Sequence, residues 1–297
     1  MVCDRVLMTQ ARTSSNDADA GAAPAQDPAP APAPESGAAG PPPAQPGTPP
    51  PPSEADARLA DDDKRAEQNA DAPLPEGSKW VKGYRGDKMG GPELEPLLAH
   101  TTPVRVSWLR ELAERKGVVP PWQLLPPEAK VSLQELREAA RSWDYLPVAV
   151  LSYGWLAKGH PDPEGVLLQK LLPALKAMEK EGVIIGIVWD FVSLPQRGYT
   201  TGYDPERDDR TEYERKRFVR GLSAVNIWYR SAYVTTLVCD FDDIYAGAEN
   251  PNPIDKRGWC IFEACLGRVS KAQFCYVNLS LLPEGAEGME GWRVAHE

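Results

Sequence analysis

Short apolar runs alternate with amphipathic segments through the C-terminal half of the chain. Four apolar runs of strand length occupy residues 148–152, 183–190, 233–239 and 273–279. Apolar residues at helical spacing lie between them, at about residues 162–182, 218–231 and 259–270. This alternation is typical of a mostly parallel sheet with helices on both faces. The pattern therefore predicts an α/β fold, and its size suits a small flavodoxin-like domain over residues 147–297.

The first of these helices has clear boundary signals. Asp162 can cap its N-terminus, and Pro163 suits its first turn. Gly182 can end the helix, because glycine readily adopts the left-handed conformation found after many helices. Pro173 lies inside the helix and is expected to kink it.

A lead-in rich in tryptophan and proline precedes this domain, over residues 79–146. Apolar spacing predicts helices at residues 107–116 and 132–143. The second helix begins with Ser132, three residues before Glu135, which is the spacing of a capping box. We interpret the lead-in as a helical cap packed on the main domain.

The N-terminal 78 residues differ from the rest in composition. They hold 15 of the 31 prolines and none of the aromatic residues. Such Pro- and Ala-rich sequence cannot bury enough apolar surface to offset the entropy of ordering, so we predict a disordered tail with polyproline II stretches. A plain spacer is favoured over a binding site for a proline-recognising partner.

The acidity of the chain also belongs to this tail. The chain has 43 acidic and 33 basic residues, and the tail alone has 13 acidic and 5 basic ones. The rest is almost neutral and has no basic surplus to neutralise a phosphate backbone, which argues against general nucleic-acid binding. No apolar stretch approaches the length of a membrane span and no signal peptide is visible, so we expect a cytoplasmic protein without membrane contact.

The cysteines and histidines do not form a metal-binding pattern. The five cysteines lack a Cys-x-x-Cys pair, and the three histidines are scattered. An odd cysteine count without a secretory signal favours reduced thiols. We therefore expect no metal site and no bound cofactor.

Polar side chains follow the predicted strands, at the edge where ligands bind in open parallel sheets. Ser152 ends the first strand and Asp190 ends the second. Glu263 lies near the start of the last helix, four residues after Trp259, so both project from one face. Glu263 is either a residue of the site or a first-turn residue that favours the helix dipole, and Asp190 is either a site residue or a cap. Arg257 could pair with either carboxylate.

Four sequence blocks in one order carry a resemblance to known families. They are LSYGW at residues 151–155, IVWDFVSLPQ at 187–196, IWYRSA at 227–232 and RGWCIFE at 257–263. This order is similar to that of the fungal heterokaryon-incompatibility (HET) domain. The same blocks resemble the wider TIR (Toll/interleukin-1 receptor) superfamily, in which a Trp-Cys-x-x-Glu sequence starts a late helix.

The resemblance implies a flavodoxin-like fold and a role in signalling or cell death, with two alternative activities. Many TIR domains cleave NAD⁺ at the nicotinamide–ribose bond with the glutamate of that motif. Carried over, Glu263 would be the catalytic carboxylate of an NAD⁺ hydrolase or cyclase, with NAD⁺ as the substrate. The nucleotide pocket would be lined by Ser152, Tyr153, Trp155, Asp190, Ser193, Gln196 and Trp259. Other TIR domains only self-associate as adaptors, so a non-catalytic homo-oligomeric module is the alternative, and a binding domain for another nucleotide is a third interpretation.

Overall fold

The structure is a computed structural model that describes residues 53–70, 72–83, 90–141, 145–199, 204, 206–272 and 274–282. The strands found there are β1 Val104–Arg105, β2 Val148–Ser152, β3 Gly186–Val188, β4 Thr235–Val238 and β5 Tyr276–Asn278. The α-helices are α1 Glu54–Ala70, α2 Glu95–Leu98, α3 Val106–Glu114, α4 Leu133–Ala139, α5 Val166–Glu181, α6 Asp190–Ser193, α7 Glu212–Arg230, α8 Asp242–Tyr245 and α9 Gly258–Ser270. Single turns of 3₁₀-helix occur at Gly91–Leu94, Trp122–Leu124, Pro127–Ala129, Ile254–Lys256 and Leu279–Leu281.

The five strands form one sheet in the order β1-β3-β2-β4-β5. β2 pairs in parallel with both β3 and β4, and β5 pairs in parallel with β4. β1 is antiparallel to β3, with Val104 opposite Ile187. The predicted α/β class with a mostly parallel sheet is therefore confirmed. The edge strand β1 comes from the lead-in, where no strand was predicted.

Helices cover both faces of the sheet because the central strand is apolar on both sides. In β2, Ala149 and Leu151 join a core that includes apolar residues of α3 and α5. Val148 and Val150 join a second core that includes residues of α7 and Trp80 of the lead-in. Successive side chains of a strand point to opposite faces, so the two cores lie on opposite sides of the sheet.

The helix α5 shows how local signals set its ends. It begins at Val166, so Pro163 precedes the helix and does not occupy its first turn as predicted. Asp162 still caps it, because its carboxylate accepts hydrogen bonds from the second and third N–H groups of the helix at 3.0 and 2.8 Å. Gly182 ends the helix with a φ of 63°, as predicted, and the helix continues without a break through Pro173.

Two helices begin with a capping box. In α4 it joins Ser132 and Glu135, which confirms the prediction. In α7 it joins Thr211 and Glu214, a spacing that the prediction missed. This box starts α7 at Glu212, six residues before the predicted position, and brings a charged stretch into the helix.

The predicted disordered tail is wrong at its C-terminal end. Residues 1–52 lie outside the described residues, but residues 54–70 form α1, in which Leu59 is fully buried. Of the tail prolines only Pro73 and Pro75 follow residue 52, so this stretch keeps the backbone N–H donors that a helix needs. The composition of the whole tail concealed this proline-free segment.

The lead-in contains helices that pack on the rest of the domain, as predicted, and it also contributes a strand to the sheet. Its strand β1 extends the sheet, and its helix α3 packs against α5. Described residues of the lead-in and of the predicted main domain belong to one compact unit. The predicted boundary at residue 146 is therefore wrong. In the part of the chain that the structure describes, no α-helix has the length and apolar character required to cross a bilayer.

Candidate functional site

A buried serine–glutamate pair joins the end of β2 to the start of α9. The Oγ atom of Ser152 donates a hydrogen bond to Oε2 of Glu263 at 2.6 Å. Ser152 is fully buried, and Glu263 is 3% exposed. Because α9 begins at Gly258, Glu263 lies in its second turn, where the helix dipole has little effect on it. The strand end and the helix start therefore meet at this pair of predicted site residues.

Burial governs the ionisation of Glu263. Removal from water raises the pKa of its carboxyl to about 8, and the nearby negative charge of Asp190 acts in the same direction. Interactions with the side chains of Ser152, Tyr229 and Trp259 lower the pKa, but by less. Glu263 is therefore mostly protonated at neutral pH in the unliganded protein.

Asp190 supplies a second carboxyl group, which is hydrogen-bonded to Tyr153, the residue after Ser152. The hydroxyl of Tyr153 donates to Oδ1 of Asp190, and the backbone N–H of Phe191 donates to the same oxygen at 2.7 Å. Burial raises the pKa of Asp190, while the hydrogen bond from Tyr153 lowers it. Asp190 thus opens the one-turn helix α6 and also contacts a predicted site residue.

Arg257 forms hydrogen bonds to two loops at the edge of this site. It does not pair with the carboxylate of Glu263 or of Asp190. Its guanidinium donates to the carbonyl oxygens of Asn252, Trp155 and Asn250 at 2.8, 3.0 and 2.6 Å. It also lies over the ring of Tyr245, 4.8 Å from the ring centre. The expected pairing with Glu263 or Asp190 is therefore wrong, because backbone carbonyls satisfy the donors of this side chain.

Two other predicted residues brace the turn after β3. The Oγ atom of Ser193 accepts a hydrogen bond from the N–H of Trp189 at 3.0 Å, and Ser193 is fully buried. The side chain of Gln196 donates to the carbonyl of Leu194 at 2.8 Å, and its backbone N–H donates to Gln123 of the lead-in at 3.0 Å. These bonds fix the loop, and they do not join it to the Ser152–Glu263 pair.

The two predicted tryptophans are partly exposed, so both can contact a ligand. The ring of Trp155 lies edge-on to Phe191, with 5.8 Å between ring centres. Trp259 lies 5.9 Å from the ring of Phe262, and its hydrogen bond to Glu263 lowers the pKa of that carboxyl. Trp259 is therefore the aromatic residue that links the buried glutamate to the surface.

Tyr229 completes the surroundings of Glu263, and the sequence analysis did not select it. It is buried, and its hydroxyl donates to the carbonyl of Leu151 at 2.8 Å. Hydrogen bonding between Tyr229 and Glu263 lowers the pKa of the glutamate. The sequence did contain a signal for Tyr229, because this residue belongs to the IWYRSA block that carried the family resemblance.

These contacts place two carboxyl groups, each bonded to a hydroxyl, at the carboxyl ends of β2 and β3. Raised pKa values make such groups candidates for acid–base or electrostatic catalysis. Among the described residues, no cluster of three or more His, Cys, Asp or Glu side chains could hold a metal ion. No family model, no curated protein and no solved structure matches the chain.

Proposed function

We propose that this chain is a TIR-like and HET-like domain that cleaves NAD⁺ at the nicotinamide–ribose bond, with Glu263 as the catalytic carboxylate. The observation that carries the proposal is the 2.6 Å hydrogen bond between Ser152 and Glu263. It joins two of the four blocks that carry the family resemblance, although 111 residues separate them in sequence. A third block supplies Tyr229 to the same carboxyl group.

The order of the parallel strands supports a flavodoxin-like fold for this domain. The four parallel strands are β2, β3, β4 and β5 in chain order. Across the sheet they lie in the order β3-β2-β4-β5, that is, second, first, third, fourth. The first four strands of flavodoxin-like sheets have the same order. Ligands of such sheets bind beyond the carboxyl ends, beside the strand at which the order reverses. That strand is β2, and Ser152 is its last residue.

The proposed chemistry requires an ionised Glu263. The bond between ribose and nicotinamide breaks, its electron pair leaves on the nicotinamide nitrogen, and water adds to the ribosyl carbon with release of a proton. A carboxylate stabilises the cationic ribosyl group that forms between these steps. The positively charged nicotinamide ring of bound NAD⁺ favours this carboxylate, because an opposite charge nearby lowers the pKa of an acid.

Consumption of NAD⁺ by the full chain tests the proposal. We expect Glu263→Gln to abolish turnover and to fold normally, since glutamine resembles the protonated side chain that the buried site favours. Asp255→Asn is a matched control, because Asp255 is exposed in the turn just before α9. Turnover by the Glu263→Gln variant at the wild-type rate would remove Glu263 from the mechanism, and a wild-type chain without turnover would reject the catalytic function.

Self-association is a second candidate function, and the outer face of α9 favours it. Ile261, Phe262 and Val269 are 44%, 43% and 88% exposed, and Cys265 is exposed between them. An apolar helix face in contact with water is unusual unless another surface covers it. A partner copy of the chain would bury this stripe.

Sedimentation of the full chain across a range of concentrations tests this alternative. We expect Val269→Glu to shift the chain towards monomer, because a charge on the stripe opposes its burial. Val219→Glu on α7 is the matched control, since Val219 is an exposed valine on another helix, at 62%. A wild-type chain that remains monomeric at every concentration would reject self-association.

A further inference from the structure

Two loops at the candidate site are hydrogen-bonded to one another. In flavodoxin-like sheets the ligand crevice opens at the carboxyl edge, between the loops that follow the first and third parallel strands. The corresponding strands here are β2 and β4, which are neighbours in the sheet. The first loop is residues 153–165, between β2 and α5, and the second loop is residues 239–257, between β4 and α9. Contacts between these loops therefore control entry of a ligand into the crevice.

Three of the contacts involve backbone groups of the first loop. The N–H of Gly154 donates to the hydroxyl of Tyr245 at 3.0 Å. The carbonyl of Leu156 accepts from the N–H of Glu249 at 2.9 Å. The N–H of Lys158 donates to Oε2 of Glu249 at 2.7 Å. Every second residue of this stretch is thus bonded to the second loop.

Arg257 forms hydrogen bonds to both loops at once. Its guanidinium donates to the carbonyl of Trp155 in the first loop at 3.0 Å. It also donates to the carbonyls of Asn250 and Asn252 in the second loop at 2.6 and 2.8 Å. Hydrogen bonds from a charged donor are stronger than those between neutral groups. Arg257 therefore makes the strongest of the contacts that hold the two loops together.

The first loop also lies along the face of α9 that carries Glu263. The carbonyl of Tyr153 accepts a hydrogen bond from the thiol of Cys260 at 3.3 Å. Cys260 precedes Glu263 by three residues, so the two side chains are neighbours on one face of the helix. Cys260 is 4% exposed and Glu263 is 3% exposed. A ligand as large as a dinucleotide therefore reaches Glu263 only if the first loop moves away.

Glycines stand at both ends of the bonded stretch. Gly154 begins it, and Gly159 follows it with a φ of 92°, a conformation that other residues rarely adopt. Small residues at the ends of a segment are common hinges. The carbonyl of Gly159 accepts from the hydroxyl of Tyr199 at 2.7 Å, which anchors the far end of the stretch. Movement breaks the hydrogen bond from the N–H of Leu156 to the carbonyl of Pro161 at 3.0 Å, so the closed form is favoured.

We propose that residues 154–158 form a lid, which Arg257 and Glu249 hold closed at the crevice beside Glu263, and that NAD⁺ reaches the glutamate only when the lid opens. This inference rests on the proposed function and adds its regulation. Burial raises the pKa of Glu263 to about 8, so the closed protein keeps the carboxyl mostly protonated. Water that enters with the lid open favours the carboxylate, which is the form that the proposed chemistry requires.

Labelling of Cys260 by N-ethylmaleimide measures lid opening and requires no catalytic activity. The full chain carries Cys3→Ser and Cys265→Ser, so that its remaining thiols, those of Cys239, Cys260 and Cys275, are all buried. Mass spectrometry identifies the labelled cysteine. Cys275 immediately precedes β5, at the amino end of the parallel strands, so its labelling reports unfolding of the whole domain.

Arg257→Met removes the hydrogen bonds to both loops and should accelerate labelling of Cys260 about tenfold. Glu249→Ala, at an exposed position, removes only the acceptor for the N–H of Lys158 and should accelerate it about threefold. Lys256→Met is the matched control, because this lysine is the exposed neighbour of Arg257. It should label at the wild-type rate.

The outcomes separate the lid from the proposed function. Equal labelling rates of Cys260 in Arg257→Met and Lys256→Met would overturn the lid, as would equal acceleration at Cys260 and Cys275. The same variants are assayed for NAD⁺ consumption, and Arg257→Met should turn over faster than the wild type. Faster labelling with an unchanged, measurable rate of turnover would overturn the control of access. Faster labelling of Cys260 in chains that never consume NAD⁺ would support the lid and reject the catalytic function.

Discussion

At the scale of single residues, Glu263 links ionisation to stability. A carboxyl whose pKa is higher in the folded than in the unfolded chain binds its proton more tightly when folded. With a folded pKa of about 8 against 4.5, its effect on stability is most favourable below pH 4.5 and is lost as the pH rises towards 8. We predict that the free energy of unfolding falls by about 1.4 kcal/mol per pH unit within this window from this group alone.

Urea unfolding at pH 6 and pH 8, for the wild type and for Glu263→Gln, isolates this contribution. Glutamine does not ionise. Between pH 6 and pH 8 the free energy of unfolding of the variant should therefore fall by about 2 kcal/mol less than that of the wild type. A difference between the two proteins that is constant with pH would show that Glu263 titrates near its ordinary value. The comparison requires no catalytic activity, so it remains informative if NAD⁺ is not the substrate.

A second residue-scale prediction concerns the space beside Arg257. A Cβ atom on Gly154 would lie 2.7 Å from both the central carbon and Nε of the Arg257 guanidinium. Gly154→Ala should therefore displace Arg257 from its three carbonyl partners and lower the free energy of unfolding by about 1–3 kcal/mol. Urea denaturation measures this loss.

Gly258→Ala is the matched control for this prediction. Nothing lies within 4 Å of the position that its Cβ would take. Alanine also favours a helix over glycine, by about 1 kcal/mol. This variant should equal or exceed the wild type in stability, and an equal loss in both variants would show that Arg257 is not the constraint.

The sequence predicted part of the site at this scale, and the limits have a physical cause. Ser152 and Glu263 were both expected at the carboxyl edge, because the ends of parallel strands meet there. The sequence did not predict which way Ser193 points in the one-turn helix α6. Its hydroxyl accepts a hydrogen bond from the N–H of Trp189, and this contact depends on the folded turn. Arg257 likewise bonds to carbonyls of loops whose path no local pattern specifies.

At the scale of elements, Lys271 ties the end of α9 to the end of α7. Burial lowers the pKa of its amine to about 7, and the amine donates to the carbonyls of Trp228, Ser231 and Val234 at 3.1, 2.9 and 2.6 Å. Trp228 lies in the last turn of α7, where backbone carbonyls lack partners within the helix, and Lys271 supplies a donor there. The same contact holds the chain that leads from α7 into β4.

Lys271→Met should therefore destabilise the fold more than the loss of an exposed charge does. It keeps the apolar stem and leaves three carbonyls without their donor, and we expect a loss of about 2–4 kcal/mol in the free energy of unfolding. Lys256→Met, at an exposed lysine just before α9, should change it by less than about 0.5 kcal/mol. Similar thermal melting curves for both variants would contradict the role given to Lys271.

Elements were predictable where their signal is local. The run at residues 148–152 coincides with β2, and α9 begins one residue before its predicted start. β1 is only two residues long and exists because it pairs with β3, about eighty residues away, so no window around it could reveal a strand. Because β1 belongs to the lead-in and pairs with β3, the lead-in and the predicted domain share one sheet.

At the scale of the whole molecule, α1 is an acidic helix that lies on a basic edge of α7. Lys216 donates to Asp56 at 2.6 Å, and Arg220 donates to Asp63 at 2.9 Å. Leu59 supplies the buried apolar contact. A helix bound largely through surface charge pairs depends on ionic strength, because salt screens such pairs.

We predict that the double variant Lys216→Glu with Arg220→Glu releases α1 from the rest of the fold. Amide hydrogen exchange over residues 54–70 should accelerate strongly, while exchange in the buried strands β2 and β4 should stay at the wild-type rate. Adding Asp56→Lys and Asp63→Lys should restore protection by exchanging the signs of both pairs. Arg230→Glu, an exposed arginine at the end of α7, should leave α1 protected. Unchanged protection in the double variant would show that burial of Leu59, and not charge, holds α1 in place.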